Sequence, residues 1–103
     1  MRHSIILAPE AVEDLKALRA ADRAAVRDAL ERWLRHEPTK TSRSRIQRLR
    51  GMRRPQYRLR VEGVRISYDV VEQRVEVLAV VAKSHAAAWL KRQGELDPRT
   101  LED

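Results

Sequence analysis

The stretch YRLRVEGVRISYDV, Tyr57 to Val70, limits what this chain can fold into more than any other. Tyr57, Leu59 and Val61 alternate with Arg58 and Arg60. After Glu62-Gly63, Val64, Ile66, Tyr68 and Val70 alternate with Arg65, Ser67 and Asp69. A period of two gives each segment one apolar and one polar face, the pattern of a half-buried β-strand. A two-residue loop at Glu62-Gly63 sets Val61 opposite Val64, Arg60 opposite Arg65, Leu59 opposite Ile66 and Arg58 opposite Ser67. A three-residue bulged loop is the alternative, since Glu-Gly is a poorer two-residue turn than Asn-Gly. It would put Leu59 opposite Arg65 and spoil the apolar face, so the hydrophobic pattern favours the shorter loop. Three arginines then share one side of one hairpin, two of them directly opposed. Like charges across strands are unfavourable, on a scale of about 0.2–1 kcal/mol. Such a placement points to an anion that the face receives.

The charge distribution says the same on a longer scale. The net charge is +7, yet Lys40 to Arg60 holds nine basic residues and no acidic one, while the rest holds 13 basic and 15 acidic residues. A basic block in an otherwise balanced domain suits a polyanionic partner. Eighteen arginines against four lysines, with 13 alanines, fit a GC-rich coding bias, which explains arginine in place of lysine but not its clustering. There is no cysteine, which excludes a disulfide framework and thiolate chemistry. The longest apolar runs are far too short to span a membrane, and the N-terminus lacks the pattern of a signal peptide. The expected location is cytoplasmic. At 103 residues one domain is expected, its core built from Leu, Val, Ile and Ala because there is no Phe and only four aromatics.

Along the chain, Arg2 to Leu7 reads as a short strand. Ala8-Pro9-Glu10 opens a helix, with Pro at a first-turn position and Glu10 and Glu13 near the positive end of the dipole. Val12, Leu15 and Leu18, with Ala8 and Ala11, form its apolar stripe. A break at Ala20-Ala21-Asp22 precedes a second helix capped by Asp22, with Val26, Ala29, Leu30, Trp33 and Leu34 on one face and an end near His36. Thr39 to Ser44 is a polar loop, Arg45 to Arg50 a short strand, and Gly51 to Pro55 a turn. Arg74 to Ala82 is a last strand, apolar on both faces in its second half and so covered on both sides. Ser84 to Arg92 is a helix with Ser84 as its cap, stopped at Gly94. Residues 93–103 form an acidic tail expected to be frayed. The fold class is α+β, in the order β-α-α-β-β-β-α, with a helical hairpin on one face of a mostly antiparallel sheet and the arginines on an open opposite face.

These segments together resemble the RelE/ParE superfamily of toxins from bacterial toxin–antitoxin pairs. The likeness rests on the opening strand with APEAVEDLKAL, the later LRG, the hairpin, and VEVLAVVAKSHAAAWL, and covers about residues 3–92. The resemblance implies either a ribosome-dependent endoribonuclease that cuts mRNA in the A site or an inhibitor of DNA gyrase, with a cognate antitoxin as partner in a hetero-oligomer and no metal or cofactor. In RelE-type members two basic side chains precede the glycine turn, an Arg follows it, an Arg follows the last strand, and a Tyr lies near the C-terminus. Arg58, Arg60 and Arg65 match the first three. Lys83-Ser84-His85 stands where the fourth belongs, and the Tyr position falls on Trp89 or Leu90.

RNA cleavage by its own 2′-hydroxyl needs a base, charge stabilisation at the phosphorane, and an acid for the departing 5′-oxygen. Arginine supplies the middle requirement, being planar and fork-shaped for phosphate oxygens, but it is a poor base, with a pKa above about 12. His85 is the one side chain near the cluster of a type that exchanges protons near neutrality; Lys83 and Tyr68 are weaker candidates. The expected catalytic set is Arg58, Arg60, Arg65, Lys83 and His85. Arg45, Arg48, Arg50, Arg53 and Arg54 are expected to contact RNA, and Trp89 to stack on a base or else to pack its helix on the sheet. No metal-ligand pattern or glycine-rich phosphate loop occurs. A decayed family member that only binds antitoxin or nucleic acid is the third reading.

Overall fold

The structure, a computed structural model, describes residues 2–99. The elements are β1 (Ser4–Leu7), α1 (Pro9–Ala17), α2 (Ala20–Ala29) followed by a π-helical turn (Leu30–Leu34), β2 (Ile46–Arg48), β3 (Met52–Arg54), β4 (Tyr57–Val61), β5 (Val64–Val71), β6 (Arg74–Ala82), α3 (Lys83–Gln93) and β7 (Glu95–Leu96). Five strands form one sheet in the order β1-β6-β5-β4-β2; β3 and β7 form a second, two-stranded one. Only β1 and β6 pair in parallel within the larger sheet. The class is α+β, as the pattern of elements predicts.

The β4–β5 hairpin has the two-residue register. Val61 opposes Val64, Arg60 opposes Arg65, Leu59 opposes Ile66 and Arg58 opposes Ser67. Glu62 takes up the turn with a left-handed φ of 52°. The apolar side of the hairpin enters the main core, where Leu59, Ile66 and Tyr68 pack with Ala11 and Leu15 of α1 and Val26 and Leu34 from α2 and the π-helical turn. Tyr68 is fully buried, donates a 2.6 Å hydrogen bond to the Pro38 carbonyl and stacks on Tyr57. That bond fixes the loop after the π-helical turn to the centre of the sheet.

Strand β6 lies between β1 and β5 and is buried on both faces through Val75, Val77, Leu78, Ala79 and Val80. Leu78 and Ala79 form a second cluster with Trp89 and Leu90 of α3. Cross-strand partners share a face, and Ala79 is the partner of Ser67, which opposes Arg58. Helix α3 therefore sits on the arginine side. The expectation that this whole face is open is corrected: α3 covers its β6 part and Arg65, Ser67 and Asp69 of β5 are buried, which leaves the β2–β4 part exposed.

Three further expectations change. Helix α2 starts at Ala20 rather than at a cap on Asp22; Asp22 lies inside its first turn, paired with Arg19. The end of α1 is closed by Arg23, which donates to the Leu15 and Leu18 carbonyls, so an arginine from the next helix satisfies groups that usually need a local cap. Ser84 is not the cap of α3, which begins at Lys83 after Ala82. Gly51 to Pro55 is more than a turn, since Met52–Arg54 pairs with Glu95–Leu96, so the acidic tail begins as a strand. Gly94 makes the passage possible: a Cβ there would lie 2.5 Å from both the Leu90 carbonyl oxygen and Met52 Cε. Thr100 to Asp103 of the tail lie outside the described residues. No described helix is long and apolar enough to cross a membrane.

Candidate phosphate-binding face

The registers of three strands bring the arginines into a row. Arg60 opposes Arg65 across β4–β5, and on its other side the Arg60 N–H donates to the Arg45 carbonyl at 2.9 Å. Arg45, Arg60 and Arg65 thus lie side by side on neighbouring chain segments, spaced by about 4.8 Å each. Gln47, Arg58 and Ser67 form the next row, and Arg58 donates to the Gln47 side-chain oxygen. Between these rows and the Ser42-Arg43-Ser44 bend lies a shallow cleft of about 40 Å³, the scale of an oxyanion rather than of a nucleotide. The bend is held in place by two bonds: Ser42 N–H donates to the Ile46 carbonyl, and its hydroxyl accepts from Arg45 N–H.

Arg65 anchors the cleft. It is only 6% exposed, and one of its terminal nitrogens donates to the Glu62 and Val64 carbonyls. Burial, then the charges of Arg60 and Arg58, push its guanidinium below the usual arginine range. The same groups that disfavour the cation favour an anion placed among them. Among the described residues, no carboxylate lies within ion-pairing distance of Arg43, Arg45, Arg58, Arg60 or Arg65.

The other expected contacts are distributed differently. Arg53 pairs with Glu95, and Arg54 with Asp69 and Glu76, so both have internal partners. Asp69 is buried and accepts from the Gln56 N–H; burial outweighs that bond and Arg54 and pushes its carboxyl up. Arg48 donates to the Leu49, Met52 and Gln56 carbonyls and covers the Tyr57 ring. It ties the β2–β4 connection together instead of reaching outward. Arg50 is exposed.

Trp89 does not join the face as a stacking residue: it is buried under α3, and its indole N–H donates to Glu10. His85 faces a separate hollow with Glu10, Asp14 and Arg92, at the α1 side of α3. Lys83 is exposed, and its backbone N–H donates to the Gly63 carbonyl, so it starts α3 right beside the turn between Arg60 and Arg65. Tyr68 is withdrawn from proton transfer, because its hydroxyl is committed to Pro38 and burial raises its pKa far above the ordinary range.

Sequence reading overlooked Ser42, Arg43, Ser44 and Gln47, which line the cleft. The signal was present in the run Ser42-Arg43-Ser44-Arg45, a small-residue bend with alternating cations next to a strand. Among the described residues no group of three or more His, Asp or Glu is placed to hold a metal ion.

Over residues 5–86 the sequence matches the family model described as ParE toxin of type II toxin-antitoxin system, parDE. No curated protein sequence matches the chain. Its fold is similar to that in the RelBE2 toxin-antitoxin complex from Mycobacterium tuberculosis, with 23% identity, coverage of 80% of this chain and 99% of that one, and a TM-score of 0.62. The E. coli toxin RelE, solved as a mutant in the free state, is 21% identical over 90% of this chain and 99% of its own, with a TM-score of 0.67. The toxin in the RelB-RelE antitoxin-toxin complex from Methanococcus jannaschii is 19% identical over 82% and 96%, with a TM-score of 0.64.

Proposed function

The chain belongs to the ParE toxin family of type II toxin–antitoxin systems, within the RelE/ParE superfamily, and from that premise we propose that its arginine face binds the backbone of mRNA and that the toxin cleaves mRNA on the ribosome. The observation that carries this reading is the row Arg45-Arg60-Arg65, joined by Arg58 and Arg43 and lacking carboxylate partners among the described residues. Arg58, Arg60 and Arg65 also match the positions that RelE-type toxins use.

In the proposed reaction the RNA 2′-oxygen bonds to phosphorus while the bond to the 5′-oxygen breaks. The proton leaves the 2′-hydroxyl and the 5′-oxygen gains one. Arg60 and Arg65 receive the extra negative charge of the five-coordinate phosphorus, which makes them stronger partners in the transition state than in the ground state. Lys83 is the proton-transfer candidate the placement favours, since its backbone is tied to the turn carrying those arginines. His85 opens onto the hollow by Glu10 and Asp14 instead.

Gyrase inhibition is the second reading, favoured by two observations. The matching family model is that of a ParE toxin, and no Asp, Glu, His or Lys lines the arginine cleft. Under either reading a cognate antitoxin is the resting partner, forming a hetero-oligomer that covers the uncompensated cations. The related RelBE2 and RelB-RelE structures are themselves toxin-antitoxin complexes.

The deciding test sets single-turnover cleavage of ribosome-bound mRNA beside a gyrase supercoiling assay. Cleavage that falls about 10²-fold or more in Arg65→Ala, with ribosome affinity nearly kept, supports the first reading. Intact mRNA with blocked supercoiling establishes the second. Loss of both activities in the wild type leaves a binding protein only.

A further inference from the structure

Beside the arginine cleft the sheet edge carries a second feature that phosphate binding does not use. The Arg45 guanidinium lies over the Trp33 ring, 4.1 Å from its centroid, and Arg32 approaches the same ring at 5.8 Å. Trp33 is on the π-helical turn, where the neighbouring Leu34 is fully buried while Trp33 stays partly exposed. Such turns recur at functional sites. A cleft of about 250 Å³, lined by Trp33, Glu37, Lys40, Thr41, Ser42 and Arg45, opens there. It is below the roughly 300 Å³ lower bound for drug-sized ligands and suits a single flat ring system. Ser42 and Arg45 line both this cleft and the phosphate-sized one.

We propose that the Trp33–Arg45 stack is a nucleobase platform, holding the base of a nucleotide next to the phosphate bound by Arg60 and Arg65. This rests on the reading that the arginine row binds RNA. Unstacked bases in single strands are held on aromatic rings and on guanidinium planes. An arginine already held over an indole, 4.1 Å from its centroid, has lost part of the rotational freedom that stacking would otherwise remove. Its backbone belongs to the phosphate row, so one residue serves both parts of a nucleotide. Lys40 is paired with Glu37 and Arg32 lies 4.0 Å from Asp28, so the uncompensated charge at the rim is that of Arg45. That balance suits a base carried on an anionic backbone better than an acidic or neutral protein segment reaching past the arginines.

The test uses the full chain with Trp89→Phe as background, so that Trp33 is the one fluorophore of its type, and a short single-stranded oligoribonucleotide as probe. RNA should quench Trp33 emission. A single abasic position, walked along the probe, should weaken binding about 5- to 100-fold at one place, the range for loss of one stacked base. Arg45→Lys keeps the charge and loses the plane; it should weaken the intact probe by a similar factor and add nothing to the abasic one. Trp33→Leu should behave alike, and Arg45→Lys covers the case in which that variant does not fold. Tight RNA binding that ignores both the abasic position and Arg45→Lys overturns the platform while leaving the RNA reading intact. No binding of RNA at low salt overturns the reading beneath it. Quenching of Trp33 by the antitoxin but not by RNA assigns the cleft to a peptide side chain and overturns the platform.

Discussion

Replacing Arg60 should stabilise the fold and weaken its function at once. The Arg60 N–H points to Arg45, away from β5, so Arg60 and Arg65 form a non-hydrogen-bonded cross-strand pair. In such pairs the Cα atoms are about 4.5 Å apart and the side chains are at their closest. With guanidinium groups splayed to roughly 7 Å, Coulomb repulsion is about 0.6 kcal/mol in bulk-water dielectric and about 2 kcal/mol at an effective dielectric of 20. Arg60 is exposed while Arg65 is buried, so the measured scale for like-charge pairs, up to about 1 kcal/mol, is the better guide. Arg60→Gln should therefore gain about 0.5–1 kcal/mol, a rise in Tm of about 3–6 °C for a domain near 100 residues. Arg60→Lys keeps the charge and should gain little.

Two controls separate repulsion from other effects. At 1 M salt the Debye length is about 3 Å, so the gain in Tm should vanish. RNA affinity should fall in the same variant, with the slope of log affinity against log salt shallower by about 0.7, one phosphate contact on a single strand. Melts in low and high salt alongside an RNA titration supply all three readings. An unchanged or lowered Tm at low salt would refute the idea that the row is held against its own repulsion. A raised Tm with undiminished RNA binding would refute its role in binding.

Tyr68→Phe should cost about 1–2 kcal/mol by leaving the Pro38 carbonyl without its partner, yet leave the proposed mRNA cleavage unchanged per folded molecule; a large fall in single-turnover rate would return the phenol to the proposed mechanism. Glu62→Asn should raise stability by up to about 1 kcal/mol in a denaturant titration, because Asn tolerates the left-handed φ of 52° better than Glu. Arg53 holds the Glu95 carboxyl below its usual value, so that contact is complete above the ordinary glutamate pKa near 4.3 and is lost as pH falls through the lower folded value. Acidification below about pH 4 should therefore expose the Asp97 amide, bonded to the Gly51 carbonyl, to hydrogen exchange before the β6 amides. Asp69 runs the other way: burial raises its pKa, so its destabilising effect at neutral pH is relieved as pH drops towards about 3.9, and the core should not open there.

The hairpin was legible because two local rules agree: a period of two fixes the faces, and a two-residue loop fixes the pairing once one face must be apolar. The start of α1 was legible for a similar reason, Pro9 suiting only the first turn. What escaped the sequence was made at long range. Arg23 closes α1 from the following helix. Trp89 finds Glu10, 79 residues earlier, and so becomes a packing residue.

The same distinction decides which cations make the site. In the basic window, Lys40 meets Glu37, Arg53 meets Glu95, Arg54 meets Asp69 and Glu76, and Arg48 turns onto backbone carbonyls. Sequence clustering counts these equally with Arg43, Arg45, Arg58 and Arg60, because the neutralising groups of Arg53 and Arg54 arrive from residues 69 to 95. Arg65 lies outside the window and joins the site only through strand pairing. A run of charge in the sequence therefore marks where an anion is attracted. The charge left over after folding, on side chains that the sheet places side by side, marks where it is held.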